Sequence, residues 1–254
     1  MNIALVIGQL TRGGAEGQLV ELALRLPAHG LAPVVYVLSR STEPYGAKLK
    51  EGGIPVAVIA GSFAQRVLAL ARALRQDRVK LVHSWLYLAN PIAGAAASLG
   101  GHLPLITAAR NCKVQSPLHR LGNIWAFRRS QRIVVNSPEV RDFIVRRYLA
   151  PPERIRLVPN GIDLVRFRPP PQRSLGAPLV VTAGRLVEQK NHRLFLEAAA
   201  ALRAEIPSAR FAIAGEGPLR PELEAYCERL QLQSAVEFLG ERSDIEEVFR
   251  RASL

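Results

Sequence analysis

The chain reads as a doubly wound α/β fold in two parts. Three observations predict it: short apolar runs alternate with helical patterns from end to end, the runs are continuous and not alternating, and the pattern breaks once, at a proline- and glycine-rich stretch. Continuous apolar runs are what strands require when both faces of a parallel sheet are covered by helices. Strands are expected at 3–7, 34–38, 56–59, 81–83, 105–108, 133–135 and 155–158, with helices between them. The clearest helices are 15–26 and 63–75, where apolar residues recur at three- and four-residue steps.

Between 159 and 178 the alternation fails. Pro159-Asn160-Gly161, Pro169-Pro170-Pro171, Gly176 and Pro178 interrupt any regular element, so this stretch is expected to connect two domains, 1–168 and 174–254. Beyond it the pattern resumes as strand 179–182, helix 192–205, strand 211–214, helix 219–230, strand 236–239 and helix 244–252. A doubly wound half usually holds about five or six strands. Three βα units therefore lead to the expectation that the second domain is incomplete.

Composition narrows the class. With 48% hydrophobic and 22% charged residues among 254, the chain is neither disordered nor a membrane bundle. Residues 84–109 carry no Lys, Arg, Asp or Glu, which raises the question of a membrane span. Asn90, Pro91, Gly100-Gly101, His102 and Pro104 fit a buried helix, a turn and a buried strand instead. The first residues, Met1 to Ile7, read as a strand and not as a signal peptide. Cys112 and Cys227 are the only cysteines and have no metal-ligand spacing, which fits reduced thiols in a cytoplasmic protein.

The net charge of +13 is concentrated. Residues 110–173 hold fourteen Lys/Arg against four Asp/Glu, so ten of the thirteen excess charges fall in that quarter of the chain. Such a field attracts nucleic acid, anionic lipid or phosphorylated substrates, and a solvated arginine-rich surface explains it equally well. There is no interleaved aromatic platform, helix-turn-helix signature or basic heptad helix, so no nucleic acid is expected.

The stretch Val180-Val181-Thr182-Ala183-Gly184-Arg185-Leu186-Val187-Glu188-Gln189-Lys190-Asn191 carries the most chemistry. It spells a buried strand, a turn of little bulk and a helix start, where free amides and the helix dipole favour an anion. Arg185 can fork onto phosphate oxygens and Lys190 adds a compact positive charge, so a diphosphate is expected there. A second glycine turn, Gly8-Gln9-Leu10-Thr11-Arg12-Gly13-Gly14-Ala15-Glu16, follows the first strand. It matches neither the dinucleotide fingerprint nor a P-loop, and a plain tight turn explains it as well as a ligand does. His83 is expected to close the fourth strand, and Arg110-Asn111 to follow the fifth, both at the carboxyl edge where such sheets bind ligands. Gly215-Glu216-Gly217-Pro218 repeats the glycine-turn logic in the second part. No Asp-x-Asp pair or metal-ligand cluster occurs, so no metal is expected and Arg185, Lys190 and helix dipoles would neutralise a diphosphate.

Five short pieces occur in the order seen in family 4 glycosyltransferases: Gly13-Gly14-Ala15-Glu16, Val135-Asn136-Ser137, Val158-Pro159-Asn160-Gly161-Ile162-Asp163, Gly184-Arg185-Leu186 through Lys190-Asn191, and Gly215-Glu216-Gly217-Pro218. The stretch from His83-Ser84-Trp85-Leu86-Tyr87 to Arg110-Asn111 resembles the branch that builds bacterial surface polysaccharides. The resemblance implies a GT-B fold: two Rossmann-like doubly wound domains, the first for the acceptor and the second for a nucleotide-diphosphate sugar. It implies metal-independent transfer, with retention, to a saccharide or lipid-linked acceptor, without a cofactor. His83, Arg185 and Lys190 would then be catalytic. Gly13, Gly14, Glu16, Arg110, Asn111, Asn160, Gly184, Gly215, Glu216 and Gly217 would bind substrate. Relatives often end the fourth strand in His-x-His, where this chain has Trp85 at the second position.

The family also carries a Glu-x7-Glu motif one βα unit beyond Gly240, past Leu254, so this chain is expected to bind donor poorly and catalyse little. A catalytically silent scaffold is the alternative reading. The basic stretch suggests a cytoplasmic protein held peripherally at the anionic inner face of the plasma membrane.

Overall fold

A computed structural model of the protein describes residues 1–170 and 176–253. Pro171 of the connector, Arg173 of the basic stretch and Leu254 lie outside the described residues. The chain divides into two compact units, Met1–Gly161 and Ile162–Leu254.

The first unit runs β1 (Asn2–Ile7), α1 (Gly14–Arg25), β2 (Ala32–Val37), α2 (Tyr45–Glu51), β3 (Val56–Val58), α3 (Phe63–Gln76), β4 (Leu81–Trp85), α4 (Leu86–Leu99), β5 (Leu105–Ala109), α5 (Pro117–Arg129), β6 (Arg132–Val135), α6 (Pro138–Tyr148) and β7 (Ile155–Leu157). Its seven strands form one parallel sheet in the order β3-β2-β1-β4-β5-β6-β7. The winding reverses between β1 and β4, which opens a crevice beyond their carboxyl ends. On one face, Leu5, Ile7, Val35, Val37 and Trp85 pack against Leu19, Val20 and Ala23 of α1. On the other, Ala4, Val6 and Val82 pack against Leu70 and Leu74 of α3 and Ile92 and Ala96 of α4. Helix α3 starts where the sequence signals it, with Ser62 and Gln65 forming a capping box.

The second unit runs β8 (Leu179–Ala183), α7 (His192–Glu205), β9 (Arg210–Ala214), α8 (Arg220–Arg229), β10 (Val236–Gly240) and α9 (Ile245–Arg251). Its strands pair in parallel in the order β10-β9-β8. Leu186, Leu196, Phe211, Ile213, Leu223 and Cys227 form its core.

Two details differ from the sequence expectation. Strand β4 continues two residues past His83, because Trp85 is buried against α1 and keeps the ladder to β1 and β5 intact. The uncharged stretch resolves into the 14-residue α4, a turn and β5, and no helix among the described residues is long and apolar enough to cross a membrane.

Helix α4 carries Pro91 in its interior, so the Tyr87 carbonyl loses its helical donor. Asn123 of α5 replaces it: its Nδ2 donates to the Tyr87 carbonyl at 2.9 Å and to the His119 carbonyl at 2.8 Å. Asn90 donates to Asn123 Oδ1 at 3.3 Å and accepts from Ser84 Oγ at 2.7 Å. Ser84, Asn90 and Asn123 are fully buried, so this chain of bonds ties β4, α4 and α5 together behind the crevice. Asn123→Ala leaves Asn90 and the Tyr87 carbonyl under-satisfied. It should lower the unfolding free energy by about 2–4 kcal/mol, seen as a reduced urea midpoint with an unchanged slope.

Candidate functional site

In the second unit, the loops leaving β8, β9 and β10 are joined by backbone hydrogen bonds: Gly184 N–H to the Ala214 carbonyl at 2.9 Å, Leu186 N–H to Glu216 at 2.9 Å and Gly215 N–H to Gly240 at 2.7 Å. Gly215 sits at φ +147°, and a Cβ there would collide with the Gly184 carbonyl. A Cβ on Gly217 would lie 2.8 Å from the Leu186 amide nitrogen. The floor of this cradle is therefore bare backbone. Lys190 lies across it, its Cγ, Cδ and Cε 3.4–3.6 Å from where a Gly184 Cβ would be.

Arg185 and Lys190 are exposed, and neither forms an ion pair with a carboxylate of the described residues. Leu186, between them, is fully buried and anchors the loop in the core. Asn191, left-handed at φ 47°, turns the chain into α7. Two partially free cations, a glycine floor and the N-terminus of a 14-residue helix make an anion cradle. Glu216 is not open to a ligand in the same way: its carboxylate pairs with Arg220, which also bonds Glu224.

In the first unit, Gly13 caps α1 and Gly14 opens it, with nothing within 4 Å of where a Gly14 Cβ would stand. The Glu16 carboxylate folds back over Gly13 and is buried. Gln18, one turn on, clamps Gly161 with two hydrogen bonds of 2.7 and 2.8 Å, which brings the exposed Asn160 beside α1. Gly13, Gly14 and Glu16 thus stand at the first turn of α1, and Asn160 adjoins the Gly161 that Gln18 of the same helix holds.

His83, Trp85 and Arg110 form a cluster. The His83 and Trp85 rings are 5.1 Å apart, and the Arg110 guanidinium lies 4.3 Å from the Trp85 ring centre. Burial, with the neighbouring positive charge of Arg110, pushes the His83 pKa down to about 3. Burial also lowers that of Arg110. Contrary to the expectation that His83 ends its strand, it lies inside β4, and its Nε2 is enclosed. Asn111, beside Arg110, has its side-chain oxygen engaged by the Lys113 amide at 3.2 Å, and its carbonyl accepts from the Tyr87 hydroxyl at 2.6 Å. These two bonds fix the turn after β5.

Sequence reasoning gave no structural role to three residues that build these sites. His192, buried at the start of α7, places its Nε2 3.2 Å from the Arg185 carbonyl and so holds the cationic loop. Gln18 and Trp85 fix the Asn160 segment and Arg110. Only position could have signalled them: His192 and Gln18 stand one and two residues from a motif, and Trp85 stands inside one.

Comparisons with known proteins match both units. The profile described as Glycosyltransferase Family 4 matches residues 12–166, and that described as Glycosyl transferases group 1 matches residues 166–254. A D-inositol 3-phosphate glycosyltransferase of Streptomyces scabiei is 29% identical, over 89% of this chain and 61% of the relative. An Escherichia coli UDP-Gal:alpha-D-GlcNAc-diphosphoundecaprenol alpha-1,3-galactosyltransferase is 24% identical, over 74% of this chain and 54% of its own length. The chain thus spans about three fifths of the length of such curated relatives. The structure of Anabaena HepE in complex with UDP superposes with a TM-score of 0.80 at 18% identity, covering 99% of this chain and 72% of that one. The fold is that of the GT-B glycosyltransferases.

Folded His83 stays neutral down to a pH near 3, whereas the unfolded chain protonates near pH 6.5. Stability linked to it is therefore complete above pH 6.5 and is lost as pH falls through that window. The stability difference between the protein and its His83→Gln variant should change by on the order of 1–2 kcal/mol between pH 6.5 and 5. Ring nitrogen shifts of His83 should stay constant over the same range.

Proposed function

The chain belongs to glycosyltransferase family 4, and on that premise we propose that it serves transfer of a sugar from a nucleotide-diphosphate donor to a saccharide or lipid-linked acceptor. The observation that carries this is the cradle at the carboxyl edge of β8, β9 and β10, with Lys190 across a backbone floor and Arg185, exposed and without an ion pair among the described residues, in the same loop. As the sugar leaves, negative charge develops on the departing diphosphate. Cations and amides already in place stabilise it without reorganising, and most in the transition state, where the charge is greatest.

Two further parts of the reading rest on the family resemblance and the charge pattern: transfer with retention, and neutralisation of the diphosphate by Arg185, Lys190 and the start of α7 without a divalent ion. The first unit, with Gly13, Gly14, Glu16 and Asn160 along α1 and a neutral His83 bordering the transferred sugar, serves the acceptor side. The UDP bound by HepE supports a uridine nucleotide as the first donor to test. The diphosphoundecaprenol in the name of the Escherichia coli relative supports a lipid-linked acceptor in surface polysaccharide or glycolipid synthesis.

Helix α5 supports work at a membrane. Leu118, Leu121 and Trp125 are 79%, 64% and 45% exposed, and their spacing of three and four residues sets them on one stripe. Arg128 and Arg129 lie beside that stripe in the last turn of the helix. An apolar stripe edged by arginine suits the interface of an anionic bilayer, at the inner face of the plasma membrane in this reading.

Calorimetric titration with UDP tests the cradle. Arg185→Ala and Lys190→Ala should each weaken binding about tenfold or more while circular dichroism is unchanged. Equal affinity in both variants would remove these residues from the donor site. Flotation with vesicles tests the membrane reading: recovery should be high on anionic and low on neutral vesicles, and the pair Leu118→Ser with Leu121→Ser should abolish it.

A further inference from the structure

Five buried polar atoms near the carboxyl ends of β4, β5 and β6 have no hydrogen-bond partner: His83 Nε2, Trp85 Nε1, Arg110 Nε and Nη1, and Asn136 Oδ1. The parallel register places them on one face. Trp85 pairs with Ala108 and Ala108 with Val134, and Arg110 and Asn136 each stand two residues further along the same face. Side chains two apart in a strand share a face, so His83 joins them. No carboxylate among the described residues pairs with Arg110, and burial disfavours its charge. Each buried polar atom without a partner leaves its lost hydration uncompensated, so the resting arrangement is poorly satisfied. Arg110 lies folded down on the Trp85 ring at 4.3 Å.

We propose that Arg110 is stowed on Trp85 in the free protein and swings off it to grip a phosphate group carried by the acceptor, which makes the acceptor a phosphorylated sugar or polyol. This rests on the transferase reading above, in which the donor's diphosphate is already served by Arg185 and Lys190 of the second unit. Arg110, with no ion pair among the described residues, is open to a second anion. Arg110 Nε and Nη1 both lack a partner, and the planar guanidinium fork fits the oxygens of a phosphate. Trp85 Nε1–H is a donor only and suits a third oxygen, which a carboxylate lacks. Asn136 Oδ1 is an acceptor, suited to a hydroxyl of the group that bears the phosphate.

The motion gives its own signal, because Arg110 covers a tryptophan. Trp85 and Trp125 are the only two tryptophans, so Trp125→Phe leaves Trp85 as the sole emitter. In that background, inorganic phosphate should change Trp85 emission saturably. Arg110→Gln should weaken the response at least tenfold, Arg110→Lys should restore part of it, and Arg185→Gln should leave it unchanged. Glucuronate should act more weakly than phosphate. An absent or non-saturable phosphate response would overturn the proposal, as would a response equal in Arg110→Gln, one stronger with glucuronate, or one driven by UDP and lost in Arg185→Gln. Failure of UDP to bind at all would sink the donor reading, and the phosphate response of Arg110 would still be read separately.

Discussion

Every strand pair in both sheets is parallel, so all the loops that leave carboxyl ends emerge along one edge of each sheet. Register then decides which side chains meet. Ile7 is opposite Trp85, Trp85 opposite Ala108, and Ala109 opposite Val135. The residues just beyond those pairs, Gly8, Arg110 and Asn136, are therefore brought to one edge from positions far apart in the chain. A slip of one residue in β5 would carry Arg110 to the opposite face, away from Trp85 and His83. Burial on both faces prevents it: Leu105 and Ala108 lie fully buried on opposite sides of the same strand.

That edge has to be rigid where it binds and open where a ligand enters, and the two units achieve this differently. In the second unit the loops bond to one another through backbone and are kept bare by Gly215 and Gly217, and Lys190 lies across that floor at Gly184. In the first unit rigidity comes from below, through the Ser84–Asn90–Asn123 chain that compensates Pro91. A proline within a buried helix would normally leave a carbonyl unsatisfied at a cost comparable to a lost hydrogen bond. Here the freed acceptor becomes the point where α5 is fastened to α4.

Much of this was legible in the sequence because the signals were local and periodic. The helix expected at 192–205 is α7 residue for residue, and every expected strand has its counterpart. The uncharged stretch 84–109 was readable as helix, turn and strand because Pro91 and the Gly100-Gly101 pair do not suit lipid. The end of β4 was not readable. A His-Ser pair looks like the close of a strand, and nothing local reveals that Trp85 finds a cavity against α1 or that Ser84 finds Asn90. The glycine turn at 215–217 was visible as a motif, but the reason for it, the approach of the Gly184 and Leu186 backbones, is a contact between residues some thirty apart in the chain. Glu216 and Asn111 lie in the same motifs, and their side chains meet Arg220 and the Lys113 amide, contacts that a motif does not reveal because it marks a place in the chain and not the aim of each side chain.

The two arginines at these edges show how context gives one residue type two kinds of chemistry. Arg185 is exposed, so it keeps its water until an anion displaces it, and in high dielectric the exchange gains little for each contact. Its contribution comes from cooperation with Lys190 and the backbone amides that surround the same volume. Arg110 is partly desolvated before any ligand arrives, with a ring beneath it and two nitrogens unbonded. The cost of removing its water has been met in folding, partly offset by the cation–π contact, and not deferred to binding. An anion that reaches it meets a stronger field and unmet donors. Its gain is larger, and a neutral group that cannot satisfy those donors is rejected more sharply, because it would leave them buried and unpaired. An exposed pair suits a charge that must be released after each turnover, and a half-buried single arginine suits the recognition of one particular group.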